Sequence, residues 1–230
     1  MSANAGVDIV ENGLVLFLDA GNRRSYPSTG TTWFNLADSK YNFTVAAAAW
    51  NAAAGNSPAF FNFEAVNIAD ASSDVPNFSN ATVMVFTSIL NSTGNWRTLM
   101  RGNSSDHQVI IENGSNRLGM YDNDAPGNFI YSGFDITSLP NPYTQFNCLT
   151  FRLANSSPYY QFQFNSNSTV YSITNPNATF NNGFRSVGGC AVCANSQGWG
   201  KIGAFLYYNR HLSQSEIAQN FNALRSRFGV

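Results

Sequence analysis

The sequence predicts an all-β domain, two antiparallel sheets packed as a sandwich, with one short helix near the C-terminus. Three observations carry this. Short apolar or alternating stretches follow one another closely, with almost no helical pattern between them. The connecting stretches are rich in turn formers, among 31 Asn and 18 Gly in 230 residues. One segment alone carries a helical period with a start signal. A single β domain commonly reaches this length, so residues 13–230 are read as one domain and residues 1–12 as an N-terminal arm.

The elements follow in order. Leu14, Leu16 and Leu18 alternate with Val15, Phe17 and Asp19, which fits a strand. Residues 21–32 are dense in Gly, Ser, Thr and Pro and read as a loop. Further strands are expected over residues 43–47, 59–63, 82–88, 97–101, 107–112 and 117–121. Others are expected over 128–131, 145–152, 159–164, 169–173, 184–187 and 201–208. Residues 82–86 are continuously apolar, as a central strand buried on both faces should be. Residues 160–164 alternate aromatics with amides. Ser213 followed by Glu216 makes a capping box, and Leu212 can staple onto Ile217. Ile217, Phe221 and Leu224 then share one face, predicting a helix over 214–225 that ends before Gly229.

Composition narrows the function. Charged residues are 11% and net charge is -1, with no basic cluster, so nucleic acid is not an expected partner. No apolar run approaches the ~20 residues of a membrane span. The first eleven residues lack the basic start and apolar stretch of a signal peptide. Cys190 and Cys193 have zinc or redox spacing, but no second ligand pair exists, so a loop with buried thiols or one disulfide is expected. Gly198, Gly200 and Gly203 match G-x-G-x-x-G by letter, yet no helix is expected after them, so no dinucleotide is.

Retaining glycosidases bring two carboxyls ~5–5.5 Å apart. None of the four Glu (Glu11, Glu64, Glu112, Glu216) has an acid two residues away on a strand. Asp122 and Asp124 are spaced so, but in a loop, where they are weighed as Ca²⁺ ligands against solvated turn residues. Nine Asn-x-Ser/Thr acceptors occur, at Asn42, Asn77, Asn80, Asn91, Asn103, Asn113, Asn155, Asn167 and Asn177, and are read as surface loops. Sugars stack on exposed rings and bond to nearby amides. Trp96 beside Asn95, and Trp199 beside Asn195 and Gln197, are the candidate carbohydrate-binding residues, each weighed against a packing role. Trp33 and Trp50 are assigned to the core.

Both ends of the chain resemble a known family. The opening residues 13–22, Ser25-Tyr26-Pro27 and Gly30-Thr-Thr-Trp33 are similar to the start of concanavalin A-like lectin/glucanase domains of the laminin G type. The ending, residues 202–210 with Leu212, Glu216, Phe221 and Phe228, is similar too. Residues 61–67 resemble that family's Phe-x-Phe-Asp-Gly-x-Asn, with Glu64-Ala65 standing where Asp-Gly is usual. The resemblance implies a jelly-roll sandwich of the kind found in phage and large-virus structural proteins. The expectation is therefore a structural virion protein, such as a capsid decoration or fibre component, which does not catalyse. It would work as a homo-oligomer with other virion proteins and could contact glycans. The alternative is a free-standing, extracellular or cell-surface carbohydrate-binding module, and a glycoside hydrolase comes third.

Overall fold

The computed structural model describes residues 8–64, 68–92, 94–102, 106–123, 128–174, 183–190, 193 and 197–230. Among the described residues the chain forms two antiparallel sheets, each of eight strands, and one C-terminal α-helix, with two short 3-10 turns; the two sheets and the helix are as the sequence predicts. The strands are β1 Leu14–Asp19, β2 Thr32–Trp33, β3 Phe43–Thr44, β4 Trp50–Asn51, β5 Phe60–Phe63, β6 Ala69–Val75, β7 Asn80–Ile89 and β8 Arg97–Arg101. They continue as β9 His107–Ile111, β10 Arg117–Asp122, β11 Asn128–Asp135, β12 Asn147–Ala154, β13 Tyr160–Phe164, β14 Tyr171–Ile173, β15 Phe184–Val187 and β16 Gly200–Tyr208. The first sheet runs β14-β13-β12-β7-β16-β5-β4, and β1 joins β16 beyond the short β5 pairing. The second runs β11-β10-β9-β8-β15-β6-β3-β2.

The inward residues of each strand meet in one core. Leu16, Leu18, Phe61, Val83, Val85, Phe151, Phe162 and Phe205 from the first sheet face Leu99, Val109, Leu118, Met120, Phe134 and Phe184 from the second. Burying each such side chain is worth ~1.5–3 kcal/mol against leaving it in water. One flank is closed where β11 packs on β13 and β14. The other is closed where Trp33 of β2 meets Phe61 of β5 at 4.6 Å between ring centroids.

The helix α1, Gln214–Phe228, covers the outer face of the first sheet. That is why β7 and β16 are buried on both sides: Met84, Phe86, Leu206 and Tyr208 point out into a second apolar cluster with Ile217, Phe221, Leu224 and Phe228. The Phe228 ring stacks on Phe86 at 4.6 Å. Gly203 on β16 permits that approach, because any Cβ there would collide with the Phe228 ring. The capping box is present, with Ser213 and Glu216 exchanging hydrogen bonds, and Gly229 ends the helix at φ 70°.

Residues 8–12 dock on this face. Asn220, fully buried, accepts from the Val10 backbone N–H at 2.8 Å and donates to the Tyr208 hydroxyl at 2.9 Å. The Tyr208 hydroxyl in turn donates to the Val10 carbonyl at 2.8 Å. Residues 1–7 of the expected arm lie outside the described residues.

Candidate functional site

The β10–β11 hairpin presents two faces by simple alternation. Leu118, Met120 and Phe134 enter the core, with Ile130 packed against it. The opposite parity sends Arg117, Gly119 and Tyr121 of β10, and Phe129 and Tyr131 of β11, to the outer face. Registry pairs Gly119 with Tyr131 and Tyr121 with Phe129, so these residues form one row. Gly119 carries no side chain, and the Phe129 ring lies across it, with Cε2 2.9 Å from where a Cβ would stand.

Trp96, just before β8, completes the row. Its ring meets Tyr121 edge-on at 5.2 Å and Phe129 at 5.7 Å. At the other end the Arg117 guanidinium sits 4.4 Å from the Tyr131 centroid and 5.7 Å from that of Phe129. Glu112 fixes Arg117 with a 3.1 Å ion pair, and the same Glu112 oxygen accepts from the Ser115 hydroxyl at 2.8 Å. Tyr131 is exposed, and Trp96, Tyr121 and Phe129 are half-buried. The result is a strip of ring faces and edges on the outside of a sheet, with a cation at one end.

Behind Tyr121 lies a polar relay. The Tyr121 and His107 rings are 6.1 Å apart. His107 Nδ1 is 3.0 Å from the Thr98 hydroxyl, and that hydroxyl donates to Gln197 Oε1 at 2.7 Å. A hydroxyl has one proton to give, so Nδ1 is the donor toward Thr98. Burial first, and the Arg101 charge second, pull the His107 pKa down to about 4, so the imidazole is neutral near pH 7.

The structure brings some predicted residues together and separates others. Trp96 is in the strip, exposed Asn95 precedes it, and Asp122 closes β10 beside Tyr121. Gln197 reaches the same region, but its amide oxygen is committed to Thr98. Trp199 is corrected: it is fully buried in the core, its Nε1 donating to Thr87 Oγ1 at 2.8 Å. A strand begins at Gly200, and this pulls the ring inward rather than leaving it on a loop. Trp50, assigned to the core, is only half-buried. Asn195 and Asp124 lie outside the described residues, as do Asn103, Asn177 and residues 65–67. No group of three or more His, Cys, Asp or Glu gathers among the described residues. Cys190 and Cys193 form a disulfide, and Cys148 is a buried thiol. Sequence reasoning missed Arg117, Tyr121, Phe129 and Tyr131. Their signal was the two-residue spacing on two neighbouring strands, which becomes a site only once the strands are paired.

Among the described residues no helix is long and apolar enough to cross a membrane. No family model matches the chain, and no curated protein does. Solved structures do. A Trypanosoma rangeli sialidase in complex with sialic acid is similar over 93% of this chain and 33% of its own, at 14% identity and a TM-score of 0.57. The receptor binding domain of botulinum neurotoxin C/D mosaic serotype is similar over 92% of this chain and 51% of its own, at 13% identity and TM-score 0.58. That of botulinum neurotoxin D is similar over 92% and 52%, at 12% identity and TM-score 0.58. The chain thus spans a third of the sialidase and about half of each toxin domain, and the likeness shows the fold. It also corrects the expectation of a chain without catalysis, because this sandwich occurs within glycosidases. The reason is chemical as well: a missing carboxylate pair argues only against two-carboxylate hydrolysis, and sialidases use a tyrosine nucleophile instead.

Proposed function

We propose that the chain is a lectin-like module, its sandwich a concanavalin A-like jelly roll, that binds a glycan along the strip formed by Trp96, Tyr121, Phe129 and Tyr131. The observation that carries this is the row of rings on an outer sheet face with Arg117 at its end. Apolar sugar faces stack on such rings, while hydroxyls take hydrogen bonds from a polar rim. Here the rim offers Arg117, Glu112, Ser115, Asn95 and Asp122. Two of the similar structures are receptor binding domains by name, which supports a recognition role for the fold. The setting we propose is the surface of an assembled particle, with several copies displayed together. This rests on the resemblance of the two chain ends to particle proteins. Repeated copies would raise the avidity of a weak single site.

The test is a glycan array read with the parent protein and with Tyr131→Ala and Trp96→Ala. Each ring lost should weaken binding roughly two- to tenfold, since an aromatic contact contributes ~0.5–1.5 kcal/mol beyond its buried area. A parent that binds no glycan, or variants that bind as the parent does, would sink the reading. For the setting, co-purification with particles in fixed stoichiometry is expected, and its absence removes the particle role.

A further inference from the structure

A recess lies on the opposite flank of the sandwich from the strip. A cleft of about 770 Å³ opens where the loop after β1, the hairpin after β4 and the end of α1 meet. That volume lies within the range of small-molecule sites. Tyr26 and Trp50 lie along it, their ring centroids 5.5 Å apart, and Trp50 is partly accessible. The Trp50 indole N–H is fixed on the Ala20 carbonyl at 3.0 Å, so the ring is held in place before any ligand arrives.

The charges around the cleft are unequal. Arg227 is neutralised by Asp19, a carboxylate 2% exposed, through two 2.7 Å hydrogen bonds. The same carboxylate accepts from the Gly21 backbone at 2.9 Å, so it has little left to offer a ligand. Arg23, also lining the cleft and exposed, has no carboxylate partner among the described residues. No Asp or Glu lines the cleft, which leaves one uncompensated positive charge at its wall. The remaining lining is amide, hydroxyl and backbone, from Ser28, Asn56 and Ser57 among others. Ser28 holds a left-handed φ of 70°, a conformation that a non-glycine residue seldom adopts without cause.

We infer that this cleft is a second binding site, for a carboxylated sugar. Each portion of the ligand has a counterpart. A pyranose ring has an apolar face for Trp50, hydroxyls for the Ser and Asn groups, and a carboxylate for the Arg23 guanidinium. A bare inorganic anion would satisfy Arg23 but leave the aromatic floor unused. A neutral sugar would use the floor but leave Arg23 without a partner. This inference stands apart from the proposal for the strip: it concerns other residues on the other flank.

Saturation-transfer NMR on the full chain tests it, with methyl β-glucuronide as the probe and methyl β-glucoside as its neutral counterpart. The glucuronide should bind about tenfold more tightly, the effect of one charge-assisted hydrogen bond of ~1.5 kcal/mol. Arg23→Ala, at an exposed position where folding is not at stake, should abolish that preference. Trp96→Ala should leave it unchanged. Equal binding of the two sugars, an Arg23→Ala variant that keeps the preference, or displacement by inorganic phosphate at matching concentration would each overturn the inference. Loss of glucuronide binding in Trp96→Ala would overturn it too, placing the sugar on the strip.

Discussion

Glu216 serves two groups at the start of α1 through three hydrogen bonds. Its carboxylate accepts from the Arg210 guanidinium at 2.6 and 3.0 Å and from the Ser213 backbone N–H at 2.8 Å. The Arg210 guanidinium foremost, then the Ser213 amide, hold its pKa at about 2, below the ordinary 4.5. A depressed carboxylate pKa stabilises the fold above the ordinary value, and that contribution is lost as pH falls from about 4.5 to about 2. Both side chains are 28% exposed, so the contribution is modest. The Glu216 carboxyl, followed by carbon-13 NMR, should titrate near pH 2, and acidification below pH 4.5 should cost the parent more thermal stability than Glu216→Gln. A midpoint near 4.5 would mean that the Arg210 pair does not form in solution. Ser213 and Glu216 were legible in the sequence because a capping box is a local pattern. Trp199 was not: its amide-rich loop suggested exposure, but the partner that buries it, Thr87, is 112 positions away.

At the scale of elements, legibility followed length and apolar content. β8 and β15 match their expected bounds, and α1 runs three residues past its expected end, to Phe228. β2 and β4 escaped notice because two residues carry no period. β6, Ala69–Val75, escaped because four of its seven residues are Asp or Ser, facing outward on a strand that its neighbours hold in place. The docking of residues 8–12 on α1 was equally hidden, since one buried amide joins positions 210 residues apart. Asn220→Ala leaves the Val10 N–H without its partner and removes the Asn220 donor from the Tyr208 hydroxyl. That should cost ~2–4 kcal/mol. Hydrogen exchange at Val10 should accelerate well before the rest of the molecule opens. Unchanged protection there would show that the apolar contacts of Ile9 and Val10 suffice alone.

The whole molecule is a sandwich with a different recessed or ringed surface on each flank, an arrangement set by pairing order, to which local sequence is blind. The strand inventory and the helix were readable, but the order β14-β13-β12-β7-β16-β5-β4 depends on contacts between distant segments. Cys148 reports on the integrity of that order. It is fully buried beneath α1, and burial pushes its thiol up to about 12. Without reductant, alkylation should therefore proceed only as fast as the sandwich opens, and should track the global unfolding rate across denaturant concentrations. Rapid labelling of the native protein would mean that α1 lifts off the sheet by itself. The clasp between residues 8–12 and α1 also determines how the chain would bear tension. Ile9, Val10 and Val230 pack on the same face, so opposed pulls on residues 8 and 230 load the Asn220 hydrogen bonds from one side and the Phe228–Phe86 contact from the other. That seam of a few hydrogen bonds and ring contacts would take the load first. The β1–β16 ladder beneath would be spared until the seam had opened.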